Sequence, residues 1–212
     1  GNAGIRFTIT KETQDSFYAM FELCEELKVD KLYISHLVYS GRGKDNLEID
    51  ISKEQRRKYV EFIIDKAFEY YKNGNNIDLV TGNMEMDAIM LLDRFKKEYP
   101  DFVETLEQKL KAWGGNSAGY RLGNMDWAGN VKPDPFFPFV VGNYLETPFD
   151  EIWTSTSNEI LNKLREHPRQ IKGRCAQCKY IEICNGGSRS RAYAISGDLW
   201  EEDPSCYLTL EE

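Results

Sequence analysis

The chain has 212 residues, 41% of them hydrophobic, enough to bury one large core or two small ones and too apolar for a disordered protein. Its formal charge of -8 argues against a general nucleic-acid or anionic-membrane partner, because both would be repelled unless a local basic patch overrode the mean. No apolar run is long enough to span a bilayer, and the opening Gly1-Asn-Ala-Gly-Ile lacks the charged start and apolar stretch of a signal peptide, so a cytoplasmic protein without membrane attachment is expected.

In chain order, Gly4-Ile-Arg-Phe-Thr-Ile-Thr10 is rich in β-branched and aromatic residues and predicts a strand. Phe17, Met20, Phe21, Cys24 and Leu27 then recur at helical spacing and predict a helix over 13 to 28. Leu32 to Tyr39 predicts a second strand, followed by the loop Ser40-Gly-Arg-Gly43, whose glycines permit close backbone approach to a ligand. Ser52 with Gln55 three residues later is a capping box opening a long helix that ends at Asn73-Gly74. Ile77 to Thr81 predicts a third strand, and Met86, Ile89, Met90 and Phe95 a helix running up to Pro100. Alternating β and α segments imply a parallel sheet covered by helices, with ligand loops beyond the carboxyl ends of the strands. Three strands are few, so the sheet is expected to be part of a larger barrel.

From Trp113 the texture changes. Gly114 to Gly119 is followed by an alternating segment and a turn at Ala128-Gly129-Asn130, the signature of a β-hairpin. Thr147-Pro148 with Asp150 and Glu151 opens a helix, and another is expected over 157 to 166. A domain boundary is expected near residue 112, dividing 1–112 from 113–212.

The chemistry gathers at the end of the chain. Four of the five cysteines form the pattern Cys175-x2-Cys178-x5-Cys184-x21-Cys206, whereas a disulfide-stapled fold of this size would spread them along the chain. Four thiolates supply a complete shell for a metal, and Gly186-Gly187 lets backbone N–H groups approach cluster sulfides. Spacing alone fits zinc or a 4Fe-4S cluster. Cys24, on an apolar helical face, reads as a small buried hydrophobe. His36 is one of two histidines and stands at the end of a predicted strand; it is either a hydrogen-bonded structural residue or a proton donor at a site. Arg42, between two glycines, is suited to pairing bidentately with a carboxylate or else is a solvated loop charge. Asp134 follows Pro133 and reads as a turn or surface residue, or else as an unusual metal ligand.

The cysteine block, with Gly-Asp-Leu-Trp200 and Asp-Pro-Ser-Cys206, resembles the auxiliary-cluster domain, called SPASM or twitch, of radical S-adenosylmethionine enzymes. Gly4 to Thr10, His36-Leu-Val-Tyr-Ser-Gly-Arg-Gly43, Gly115-Asn-Ser-Ala-Gly119, Gly129-Asn-Val-Lys-Pro-Asp134 and Lys172-Gly-Arg-Cys175 resemble the haem-biosynthesis branch of that family. The branch includes the haem d1 enzyme and enzymes that remove acetate side chains from didecarboxysirohaem or oxidise propionates to vinyls. The resemblance implies an α/β fold, the C-terminal part of a partial (β/α) barrel followed by a small cysteine-rich SPASM/twitch-like domain with a β-hairpin. It implies an auxiliary 4Fe-4S cluster on Cys175, Cys178, Cys184 and Cys206 in preference to zinc. It also implies an iron tetrapyrrole as substrate, an electron donor such as ferredoxin or flavodoxin, and a cofactor or substrate contact for Tyr39 and Arg42 with His36 as catalytic candidate. The family's Cys-x3-Cys-x2-Cys, which carries the second 4Fe-4S cluster that cleaves S-adenosylmethionine, is absent from these 212 residues. The chain is therefore expected to correspond to a C-terminal portion that is inactive alone. Two readings compete with this branch: a peptide-modifying enzyme sharing the auxiliary domain, and a non-enzymatic zinc-binding module.

Overall fold

The computed structural model describes residues 3–209. Its first half alternates β1 (Gly4–Ile9), α1 (Phe17–Leu27), β2 (Lys31–His36), α2 (Lys53–Asn73), β3 (Asp78–Gly82) and α3 (Asp87–Glu98). The strands form a parallel sheet in the order β1-β2-β3, with Ile5 opposite Leu32 and Leu32 opposite Leu79. Period-2 alternation sends Ile5, Phe7, Ile9, Leu32, Ile34 and Leu79 to one face, where Phe17, Phe21 and Cys24 of α1 and Ile63 of α2 cover them. The opposite face carries Arg6, Thr8, Tyr33 and Ser35. A parallel sheet normally buries apolar side chains on both faces, so this polar face departs from the usual pattern, and it borders two cavities.

Two boundaries differ from the sequence expectation for local reasons. The first turn expected of α1 is a separate 3-10 turn over Gln14–Ser16, because the Thr13 hydroxyl donates to the Thr8 carbonyl at 2.7 Å and draws the chain out of α geometry. β2 stops at His36 rather than running to Tyr39: the Leu37 carbonyl accepts from Arg191, and the Tyr39 hydroxyl turns to Asp50 and Ser205. The capping box of α2 is present, with Gln55 N–H donating to Ser52 Oγ at 3.2 Å and Ser52 N–H to Gln55 Oε1 at 3.0 Å. The left-handed Gly74 ends that helix.

The second half begins with α4 (Val103–Trp113) and continues through β4 (Asn124–Met125), β5 (Asn130–Lys132) and β6 (Gly142–Asn143), which pair antiparallel in chain order. Short helices follow: α5 (Phe149–Thr154), α6 (Glu159–Arg165), α7 (Ile181–Cys184) and α8 (Arg189–Ser196). One core cluster joins the two halves, packing Met86, Ile89 and Met90 against Tyr180, Ile183 and Tyr207. No helix among the described residues is long and apolar enough to cross a membrane.

Candidate metal centre and the cavities beside it

Cys175 lies in a 3-10 turn over Gly173–Gln177, Cys178 ends that turn, Cys184 is the last residue of α7, and Cys206 sits in a turn whose N–H donates to the Asp203 carbonyl at 3.0 Å. All are free thiols. They are electrostatic neighbours: burial pushes Cys175 up to about 11, and the Cys206 and Cys178 sulfurs add to the rise. Burial also drives Cys184 well above the usual thiol range, with Cys206 and Cys175 contributing, and raises Cys206. Two cations oppose this trend, Arg189 at Cys175 and Arg174 at Cys206. The four predicted ligands are thus electrostatic neighbours, with Cys184 buried and Cys175, Cys178 and Cys206 half-buried. Among the described residues, no three His, Cys, Asp or Glu side chains form a ready-made site for an ion.

The donor set suits a soft metal centre: four thiols supply soft ligands, and burial keeps those of Cys175, Cys184 and Cys206 protonated until a bound cation stabilises their anions. Their backbone is held from both sides. Asp203 accepts from Ser188 N–H at 2.8 Å and Ser205 N–H at 3.0 Å, so one carboxylate ties the turn after Cys184 to the turn before Cys206. Gly187, at φ +67, leaves room for that carboxylate, because a β-carbon there would stand 2.7 Å from Asp203 Oδ2. Arg191 closes on Asp203 from α8 and donates to the Leu37 carbonyl beyond β2 at 3.1 Å. Arg189 donates to the carbonyls of Leu199, Glu201 and Gly186. Gly115, at φ +68, packs directly on the Cys184 carbonyl, where any side chain would collide.

These buried arginines and Asp203 were not picked out as positioning residues from sequence. An arginine-rich stretch such as Arg189-Ser-Arg191 reads as a solvated surface by composition, and only the carbonyls it meets in space give it partners. Asp203 carried a faint signal, an Asp followed by Pro and Ser in a turn pattern.

The other predicted site residues divide. The His36 side chain is fully buried, with Nε2 3.0 Å from Asp87 Oδ2, while Tyr207 donates to Asp87 Oδ1 at 2.6 Å. This is a buried hydrogen-bonded triad between β2, α3 and the segment after Cys206. Its Nδ1 has no hydrogen-bond partner among the described residues. Tyr39 donates to Asp50 at 2.6 Å and meets Ser205 Oγ at 2.9 Å, so its phenol braces the Cys206 turn. Arg42 is exposed and lines a cavity of about 370 Å3 at the carboxyl ends of β1 and β2, together with Arg6, Thr8 and Ser35.

A second cavity, of about 360 Å3, lies beyond the end of β3 and is lined by Tyr33, Glu85, Gly115, Asn116 and Asp134. Asn83 and Phe136 border both cavities. Asp134 accepts the Phe136 N–H at 2.7 Å, the turn role expected of it, but it is buried rather than on the surface. Burial, and then the nearby Glu85, push its carboxyl up to about 6 against the pull of two backbone N–H groups and Arg169.

No family model matches the chain. Curated relatives do. The chain is 40% identical to the pre-heme d1 synthase of Dinoroseobacter shibae over 99% of its own length and 52% of that protein. It is 37% identical to the Fe-coproporphyrin III synthase of Methanosarcina barkeri, over 99% of its length and 53% of that protein. Among solved structures, Streptococcus suis SuiB bound to S-adenosylmethionine superposes with a TM-score of 0.64 at 18% identity, covering 98% of this chain and 45% of SuiB; this likeness concerns the fold. The chain spans about half the length of the curated relatives it matches. Along nearly all its residues, then, this chain is similar to about half of proteins named as pre-heme d1 synthase and Fe-coproporphyrin III synthase, and it shares its fold with SuiB.

Proposed function

We propose that this chain is the C-terminal portion of a radical S-adenosylmethionine enzyme that modifies acidic side chains of an iron tetrapyrrole. In this reading 1–112 is the end of a partial barrel, 113–212 is a SPASM/twitch-like auxiliary domain, and Cys175, Cys178, Cys184 and Cys206 hold an auxiliary 4Fe-4S cluster. The observation that carries it is the proximity of four thiols, from three separate segments, in a chain whose relatives are named pre-heme d1 synthase and Fe-coproporphyrin III synthase. When bound, such a cluster supplies one-electron transfer, and a ferredoxin or flavodoxin is the matching external donor. The protein's part is to hold the thiolates in register through Asp203, to balance their charge with Arg174 and Arg189, and to keep water from the sulfurs by the packing around Ile183 and Tyr207.

The test is iron and acid-labile sulfide content with a visible spectrum, on the chain purified or reconstituted without oxygen. About four irons and four sulfides per chain are expected for a 4Fe-4S centre, with loss on replacing Cys178 or Cys184 by Ala. One tightly held zinc and no bindable iron would sink the reading in favour of a structural zinc module.

A further inference from the structure

The polar face of the sheet has one end that is cationic and has no carboxylate to answer it. Arg6 and Arg42 line the same cavity, Arg6 from β1 and Arg42 from the loop after β2. Arg56, Arg94, Arg174 and Arg191 each pair with a carboxylate. Among the described residues Arg6 and Arg42 pair with none. Arg6 is not loose, because its guanidinium lies over the Tyr33 ring, 4.8 Å from the centroid, which limits its rotamers while leaving its N–H groups free to donate. Hydroxyls complete the wall: Thr8 Oγ1 and Ser35 Oγ are 2.8 Å apart on the same face. Barrel interiors are usually filled by branched apolar side chains, so two guanidiniums and the hydroxyls of Thr8, Ser35 and Ser40 around a space of about 370 Å3 call for an anionic ligand group. The neighbouring cavity, reached past Asn83 and Phe136, has the opposite character, with Glu85 and Asp134 in its wall. An anion is directed to one end of the face only.

We propose that this cavity is a carboxylate-binding subsite, in which Arg6 and Arg42 grip a propionate or acetate side chain of the tetrapyrrole and so fix which edge of the macrocycle faces the auxiliary centre. This deepens the tetrapyrrole reading and rests on it. The carboxylate of S-adenosylmethionine has the same chemistry, so both ligands enter the test.

The experiment titrates iron coproporphyrin III, and separately its methyl-esterified form, into the purified chain by absorbance, alongside equilibrium dialysis with S-adenosylmethionine. Variants are Arg6→Gln, Arg42→Gln and the exposed control Lys109→Gln, each checked for wild-type circular dichroism and iron content. The free acid is expected to bind more tightly than the ester, and each arginine variant to lose about tenfold in affinity for the free acid while the control loses none. If the macrocycle binds and both arginine variants bind it as well as wild type, the subsite is overturned and the tetrapyrrole reading stands. If wild type binds neither form saturably, both fall. If the arginine variants lose S-adenosylmethionine and keep the macrocycle, the assignment to the tetrapyrrole is overturned.

Discussion

Arg191 and Asp203 meet in the interior with Nη2 2.7 Å from Oδ2 and Nε 3.0 Å from Oδ1, their side chains 0% and 1% exposed. The pair joins α8 to the Cys206 turn, and through the Leu37 carbonyl it joins both to the sheet. Burial alone would lower the arginine's pKa and raise the aspartate's; each partner outweighs it, so Arg191 stays above and Asp203 below the ordinary value. Removing one partner strands a buried charge, and Asp203→Ala is expected to destabilise the chain by about 3–5 kcal/mol. Arg191→Met with Asp203→Leu should recover a large part of that loss. Because the folded pKa of Asp203 is depressed, its contribution is present above the unfolded pKa near ~4 and is lost as pH falls through the folded value. Urea unfolding midpoints of the three proteins at pH 7 and pH 3.5 check both points, and equal stability of wild type and Asp203→Ala at pH 7 would remove the pair from the account.

Asp134 behaves in the reverse sense. Its folded pKa is raised to about 6, so its favourable contribution is complete below the unfolded pKa and disappears as pH rises through 6. Asp134→Asn keeps an acceptor for the Phe136 N–H and never ionises. The variant is expected to match wild type near pH 4 and to exceed it by about 2–3 kcal/mol at pH 8. Denaturant unfolding at the two pH values measures this, and a pH-independent difference would contradict the burial of the charge.

Two cysteines give opposite signatures. Cys184→Ala is expected to abolish bound iron and sulfide, whereas Cys24→Ala should leave metal content unchanged and cost about 1–2 kcal/mol of stability through the lost packing of a buried side chain. Iron analysis and thermal unfolding on both variants separate ligand from filler. Loss of iron from Cys24→Ala would reassign it.

The His36, Asp87 and Tyr207 chain predicts a structural cost as well. Tyr207→Phe removes the 2.6 Å hydrogen bond to a buried carboxylate and should cost about 1–3 kcal/mol. His36→Phe leaves the same carboxylate with Tyr207 alone and is expected to cost at least as much. Unfolding free energies of the two variants and the double replacement give the coupling between them, and additivity would show that the three side chains do not act as a unit.

The parallel sheet was legible because strand alternation and helix spacing are local signals; Ile5, Phe7 and Ile9 announce one face, and Ser52 with Gln55 marks a helix start. The spacing of the four cysteines singled them out as candidate ligands, and in the fold they are electrostatic neighbours. Much of what holds them was not legible. α4 went unread although Val103, Leu106 and Leu110 recur at helical spacing, and their partners in the core stand far along the chain. α8 buries Arg189 and Arg191, residues whose composition points outward and whose partners, Leu37, Asp203 and Leu199, are set only by tertiary structure. Tyr39 illustrates the same limit: the resemblance offers it as a cofactor contact or a packing residue, and its bonds to Asp50 and Ser205 are set only by tertiary structure.

The helix α3 serves two masters. Its first residue, Asp87, is the hub between His36 of the sheet and Tyr207, and its apolar side, with Ile89 and Met90, packs into the same cluster as Tyr180 and Ile183 beside the cysteines. The cysteine region is therefore not an interchangeable cassette. A chimera that grafts residues 113–212 onto another sheet must bring α3, or a helix with an acid at its first position and matching apolar residues, or the graft loses its floor along with the hydrogen bonds that orient the Cys206 segment.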